Sequence, residues 1–515
     1  MTASRTPALL AGTLEYALGT VLLTIVLAAP YAWLVVRTNV PGKSFLRLLP
    51  IFPLVLPNLV GAISWIFLLS PQIGLVNLAV ENVTGIGFAP FDVFSMGGLI
   101  FVTAIGAIPI TYLMLEGAFL SLDPSHEEAS QISGAGTWKT LRYVTIPLVA
   151  PQILAAFMLG VLFVVGVFEY PFILGSRVHI ANLATQVYLL MDVTSQYSLA
   201  AAYGLIYLVL TIIIISLYLF AVRRSYRFVT VTGRPSVATL FDLGRWRWVA
   251  LAVCLGIITV VFFLPFATLI IVSLVPYYTI GPGIGPFSAG LTLTNFVDAL
   301  KTISFQQSVF NSFELYAASA VIATILGTMM AYVLIKGKTR GKVILNYISN
   351  LPLAFPGIVY GVGLIWMFLV LPGVNSLYGT TWVMLIALVV IWLPISIRFS
   401  ANSLIQLADE LEESASVVGS RWSRTFVHVL FPLLKPTIVN SFLYMFVDSF
   451  KEVGVVILLT GPSSSLLTTL ILSTYSGSGG TLPVVAAMSV LMCLMLIGSI
   501  LVIRIVAKNR KIYPV

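Results

Sequence analysis

Four ionisable residues stand inside runs that are otherwise apolar. Glu169 lies in Phe168-Glu169-Tyr170-Pro171, and Asp448, Lys451 and Glu452 lie in Val447-Asp448-Ser449-Phe450-Lys451-Glu452. A charged side chain at the centre of a bilayer costs about 2.5–3.5 kcal/mol on insertion scales, so such residues mark solute or ion contact, proton relay, or pairs that cancel. Asp448 and Lys451 are three residues apart and share a helix face, which suits a cancelling pair. All four are candidates for a polar path through an apolar layer, with a packing ion pair as the plain alternative.

Other chemistry is sparse. His126, His179 and His428 are dispersed without metal-ligand spacing, so no metal site is expected. Cys254 and Cys493 sit in apolar runs and imply neither a disulfide framework nor a metal site. Gly42-Lys43-Ser44 looks like the end of a phosphate-binding loop, but Arg37 stands where that loop needs a glycine. No nucleophile–base pair is evident. The chain is therefore expected not to be an enzyme and to hold no cofactor of its own.

What must position these residues is a stack of membrane helices. Of 515 residues, 59% are hydrophobic and 9% charged, too few charges to clothe a soluble core of that size. The net charge of +9 does not point to nucleic acid, because the basic residues lie in short loops between apolar spans. Eleven spans are expected: 9–36, 48–70, 96–120, 150–175 and 198–222 in a first half, and 248–273, 309–335, 347–371, 381–400, 433–460 and 483–507 in a second. The first is too long for a signal-peptide core and is read as a span.

The connections at 37–47 (Arg37, Lys43, Arg47), 223–247 (six arginines), 336–346 (Lys336, Lys338, Arg340, Lys342) and the C-terminus (Arg504, Lys508, Arg510, Lys511) fall on one side, which the positive-inside rule makes cytoplasmic. The N-terminus then lies outside. A twelfth span is expected if the start is truncated.

The halves repeat. Pro53 and Pro57 match Pro352 and Pro356, Leu14-Glu15 matches Phe313-Glu314, Tyr31 resembles Tyr332, and Pro109 matches Pro394. The clearest repeat is a polar connector. Glu128-Ala129-Ser130, Gly134 and Pro147 recur 285 positions later as Glu413-Ser414-Ala415, Gly419 and Pro432, with Trp138 and Trp422 and basic neighbours in each copy. Each copy reads as two short helices joined at a glycine that can take a left-handed φ, with Pro147 or Pro432 breaking or starting the next segment. Both halves run the same way, so the fold class is all-α: a polytopic helical membrane protein of two parallel pseudo-symmetric repeats. The division expected is 1–225, an Arg-rich linker 226–246, and 247–515.

The connector resembles the Glu-Ala-Ala loop of bacterial binding-protein-dependent ABC importer permeases, of type I. That pattern is Glu-Ala-Ala, three residues, Gly, nine residues, Ile-x-Leu-Pro. Glu128, Ala129, Gly134, Val144, Ile146 and Pro147 match it, as do Glu413, Ala415, Gly419, Val429 and Pro432, with Ser130, Ser414 and Phe431 as departures. The resemblance implies an ATP-driven permease subunit working by alternating access, whose loops couple it to two copies of a cytoplasmic ABC ATPase that binds ATP and Mg. It also implies an extracytoplasmic substrate-binding protein and a place in the bacterial inner membrane with the C-terminus in the cytoplasm.

The stretch from Asp448 through Gly461-Pro462 resembles ferric-iron and polyamine permeases, but has Gly454 where iron permeases commonly place proline. Fusion of both halves in one chain resembles ferric-iron, thiamine and phosphonate importers. Ferric iron is the first expectation, with thiamine, phosphonate or polyamine as alternatives. An ion- or proton-coupled secondary transporter, with Glu169, Asp448, Lys451 and Glu452 as its relay, is the reading from another class.

Overall fold

The computed structural model describes residues 6–85, 89–178, 180, 182–225, 240–278, 290–337, 340–461, 464–477 and 481–509. Arg5, His179, Lys338, Pro462, Arg510, Lys511 and positions 226–239 of the expected linker lie outside the described residues. Nine helices among the described residues are long and apolar enough to cross a membrane, or eleven if two bent pairs are each one span. Helices satisfy their own backbone groups, which is what a lipid environment demands of so apolar a chain.

The packing divides at Leu293/Thr294 rather than at the expected 246/247. In the first unit α1 (Thr6–Arg37) is followed by α2 (Lys43–Leu48), a 3-10 stretch (Leu49–Val55) and α3 (Asn58–Leu69). The chain turns by 98° between the last two, where one span over 48–70 was expected. Pro57 is the cause: it is held extended at φ −61° and ψ 146° and cannot donate to a continuing helix. Twelve residues make α3 about 18 Å long, short of the ~30 Å hydrocarbon layer, and every residue from Leu59 to Leu69 is buried in protein.

After α4 (Leu75–Thr84) come α5 (Met96–Leu120), α6 (Pro124–Ile132), α7 (Thr137–Thr140), α8 (Ile146–Gly166), α9 (Leu183–Asp192) and α10 (Tyr197–Ser225). Helix α1 packs along α5, with Thr24 Oγ1 donating across to Ala104 O at 3.2 Å. Helices α11 (Arg247–Ile258) and α12 (Leu264–Ser273), joined by a π turn and preceded by a 3-10 turn, form one 30-residue span, Gly244–Ser273, within this unit. Its Phe262 ring lies 6.1 Å from that of Phe52, and beyond it Tyr278 Oη donates to Ile73 O at 2.8 Å. These contacts explain why the span expected to open the second half packs with the first.

The second unit repeats the order. It holds α13 (Thr294–Lys301), α14 (Ile303–Ile335), α15 (Lys342–Asn350), α16 (Gly357–Val370), α17 (Thr381–Gln406), α18 (Glu410–Val417), α19 (Trp422–Thr425), α20 (Phe431–Ser449), α21 (Gly454–Leu459), α22 (Leu467–Ser476) and α23 (Leu482–Asn509). The α15 and α16 stretches meet at 107°, with Pro356 in the place of Pro57. The short helices α9 and α22 are tied alike: Leu183 N donates to Thr13 Oγ1 (3.1 Å) and Leu467 N to Ser312 Oγ (2.8 Å).

Helix α14 packs on α17 through Gly327, where an added Cβ would run into the Ser396 side chain and lie 3.1 Å from Ile397 N. Small residues at such crossings let helices approach within packing distance. Gly327→Leu is expected to destabilise the chain by about 1–3 kcal/mol through overpacking, read as a lower thermal midpoint in detergent.

Candidate functional site

The two connectors fold alike, for reasons visible in their sequences. Asp123 caps α6 by accepting from Ser125 N at 2.9 Å, with Pro124 at the first helical position, where its missing N–H is not needed. The helix ends in a Schellman motif: Gly134 N donates to Gln131 O (2.9 Å) and Ala135 N to Ser130 O (3.1 Å), with Gly134 left-handed at φ 84°. Helix α18 ends in the same way, with Gly419 N on Ser416 O (2.9 Å), Ser420 N on Ala415 O (3.0 Å) and Gly419 at φ 78°. Both glycines are exposed, and a Cβ on either would meet nothing within 4 Å among the described residues, so it is backbone conformation that demands glycine there.

Past the glycine, α7 and α19 do not stop at the prolines, which is where the sequence placed a break or a start. The helix runs on as one piece, Thr137–Gly166 and Trp422–Ser449. A π turn precedes each proline, at Leu141–Thr145 and Phe426–Leu430. Ile146 N and Phe431 N bond five residues back, to Leu141 O and Phe426 O. Pro147 and Pro432 then enter the first turn of α8 and α20, and the wider turn accommodates them without a break.

Of the coupling candidates, Ala129, Gly134, Pro147, Glu413, Gly419 and Pro432 are exposed, while Glu128 and Ala415 are half-buried. The tips carry apolar side chains in solvent: Ile132 is 88% exposed, and Val417, its counterpart 285 positions on, is 86% exposed.

Sequence reading missed what holds these connectors. Arg37, the last residue of α1, pairs with Glu127 of α6, and both are fully buried. Thr145 Oγ1 donates to the other oxygen of Glu127 at 2.6 Å. In the second unit Lys336, just past α14, pairs with Asp409 and lies 3.6 Å from Glu412 of α18. Tyr332 Oη donates to Glu412 at 2.7 Å and accepts from Trp422 Nε1 at 2.8 Å. Burial works against the Lys336 charge, but Asp409 and then Glu412 outweigh it, so its pKa stands above the ordinary lysine value. Arg37 and Lys336 are 299 positions apart, the offset already seen for Leu14-Glu15 and Phe313-Glu314, and Glu127 and Glu412 are 285 apart. At the first offset Tyr332 corresponds to Trp33 and not to Tyr31, whose hydroxyl donates to Leu46 O instead.

Of the four charged candidates, Asp448 lies in the last turn of α20, but the other three are not inside the continuous spans that the sequence suggested. Helix α8 ends at Gly166, so Glu169 follows a break; α20 ends at Ser449, so Lys451 and Glu452 lie in the turn before α21. Lys451 Nζ is 3.0 Å from Asp448 Oδ1, and Glu452 Oε1 accepts from Val455 N at 3.1 Å. A Cβ at Gly357, the first residue of α16, would stand 2.7 Å from Glu452 Oε1, so this carboxylate meets two helix ends at once. In the first unit Glu169 is 6% exposed. Its neighbour Tyr170, also missed, presses its hydroxyl on two glycines: added Cβ atoms at Gly61 and Gly106 would stand 3.1 and 2.5 Å from it. Interrupted helices carrying polar groups at the break are tolerated in membranes where protein or a water-filled cavity surrounds them.

The chain is similar to the ferric transport system permease protein FbpB of Actinobacillus pleuropneumoniae, with 27% identity over 444 residues, covering 85% of this chain and 62% of that protein. It thus spans less than two thirds of that relative's length. It is 22% identical over 431 residues to the Fe(3+)-transport system permease protein FbpB 2 of Haemophilus influenzae, covering 83% of this chain and 76% of that protein. Over 131 residues it is 31% identical to the molybdenum transport system permease protein ModB of Escherichia coli K12, covering 25% of this chain and 55% of that protein. Residues 20–226 and 323–511 each match one family, and they take in the helix breaks and both connectors. With these two segments covering well over half of its length, the chain belongs to the binding-protein-dependent transport system inner membrane components.

Proposed function

We propose that the chain is the transmembrane permease of an ATP-driven importer, moving a solute handed over by an external binding protein, with ferric iron as its cargo. The observation that carries this reading is the duplicated helix, left-handed glycine and helix, with an apolar tip in solvent and a stiff continuation into a span. An exposed Ile132 and Val417 on such a tip suit burial in a partner groove. Each handle takes one ABC ATPase, which supplies the ATP and Mg sites. Glu128, Ala129, Glu413 and Ala415 lie on the handle helices, Gly134 and Gly419 set their angle, and Pro147 and Pro432 mark where motion enters α8 and α20. The handles and the C-terminus face the cytoplasm of a bacterial cell, in its inner membrane.

Iron as cargo is supported by the two ferric permeases among the relatives and by carboxylates at helix breaks, Glu169, Asp448 and Glu452, which offer hard oxygen contacts to a trivalent cation. Thiamine, phosphonate or polyamine import keeps the same machinery with another cargo. The Asp448–Lys451 pair beside Glu452 is what favours an ion-coupled secondary transporter.

One reconstitution separates these. Proteoliposomes holding the chain with the ATPase and binding protein of its system should accumulate radioactive ferric iron only with ATP and Mg on the ATPase side. ATP-driven uptake of another solute replaces the cargo; uptake by the chain alone on a proton or sodium gradient overturns the importer. Burying an aliphatic side chain is worth about 1.5–3 kcal/mol. Ile132→Asp with Val417→Asp is therefore expected to weaken co-isolation of the ATPase about tenfold or more.

A further inference from the structure

We propose that Arg37 and Lys336 are equivalent positioning residues that lock each handle to the first long helix of its own unit, and that the first lock is sealed whereas the second can be released. Each cation sits where that helix ends, and each reaches a carboxylate at the same place on the handle helix, Glu127 or Glu412. A handle fixed in this way moves with α1 or α14 and not only with the span that follows it. The inference deepens the reading of the connectors as handles and rests on it for that consequence alone.

The difference between the locks comes from the connector between the halves. Beyond the linker, the chain returns to Arg37 as a short parallel bridge, Thr38 with Phe241. Phe241 N donates to Arg37 O (2.9 Å) and Asn39 N to Phe241 O (3.1 Å). Phe241 is buried, with its ring 6.1 Å from that of Trp33. Asn39 Nδ2 donates to Asp242 at 2.5 Å and its Oδ1 accepts from Leu243 N at 3.0 Å. The Gly244 N–H, and then Asn39, hold the Asp242 carboxyl below the usual range. This strap lies directly on the backbone of a cation that is fully buried.

Lys336 is 10% exposed and its partner Asp409 is 76% exposed. Asp409 precedes α18 but makes no side-chain cap bond to it, whereas Asp123 caps α6. The second handle has therefore given up a helix cap for a pair that water and salt can reach. Exposed pairs are screened by salt, and buried ones much less.

Spin labels test this in the purified chain in lipid nanodiscs, with no ATPase present, so the outcome is independent of what the handles bind. Val418→Cys with Met329→Cys reports on the second handle, and Ile132→Cys with Leu22→Cys on the first; all four sites are exposed, and the native Cys254 and Cys493 are buried. Raising salt from about 0.1 M to about 1 M shortens the screening length from about 10 Å to about 3 Å, and should broaden the second distance distribution about twofold while leaving the first unchanged. Lys336→Met should give the broad distribution at low salt, with no further response to salt, and Lys336→Arg should restore the narrow one. A second handle indifferent to Lys336→Met, or a first handle that loosens with salt, would overturn the proposal.

Discussion

Arg37→Met is expected to destabilise the purified chain by about 3–5 kcal/mol, because it strands Glu127 as a buried carboxylate without its cation. Glu127 is 1% exposed and, among the described residues, keeps the bond from Thr145 alone, so water cannot replace the lost partner. The reverse change, Glu127→Gln, leaves a guanidinium whose Nε and Nη1 already lack hydrogen-bond partners among the described residues. Its effect should be of similar size. Exchanging both together, Arg37→Met with Glu127→Leu, removes the charges as well as their attraction and should recover most of the loss, since paired apolar replacements of buried ion pairs are often neutral. Thermal or denaturant unfolding in detergent gives all three values. A single variant as stable as the parent would mean that the pair is wetter than its burial indicates.

The second large effect concerns Gly134 and Gly419. Valine at either position faces no crowding, but it must adopt φ near 84° or 78°. Left-handed backbone costs an L residue roughly 1–2 kcal/mol, and a β-branched one is a genuine outlier there. The chain can escape only by breaking the Schellman bonds to Gln131 and Ser130, or to Ser416 and Ala415, and so re-aiming the tip. On the proposed importer reading, the double variant Gly134→Val with Gly419→Val should therefore insert and fold yet lose coupled uptake almost completely, with ATP hydrolysis persisting. Asparagine, which visits the left-handed region, should retain a large part of the activity. Uptake per ATP hydrolysed in proteoliposomes is the measurement, and normal coupling in the valine double variant would remove the handles from the mechanism.

Much of this was legible in the residues. Apolar runs marked the spans, and the 285-residue echo of Glu128, Gly134 and Pro147 marked the connectors. Left-handed Gly134 and Gly419 followed from the same stretch, because a glycine after a short helix between polar neighbours has few other uses. The rest needed three dimensions. Arg37 and Lys336 look like ordinary loop cations, since charge counting assigns a side of the membrane and says nothing of a carboxylate some ninety or seventy positions away. Proline pairs announced disturbance in two spans but not turns of about 100°, because whether a helix bends or ends depends on what surrounds it. Phe262 and Tyr278, which carry the 244–278 region into the first unit, could not be placed by a boundary drawn from charge.

One consequence lies in the π turns ahead of Pro147 and Pro432. Each accommodates a surplus residue, and one residue of an α-helix is worth about 100° of rotation. Trimming one position from Leu141–Thr145 would bring that stretch back to regular winding and swing everything before it around the axis relative to α8. The facing of the handle and the facing of the span are thus phased by a single removable unit, a vernier that both halves have kept at the same setting.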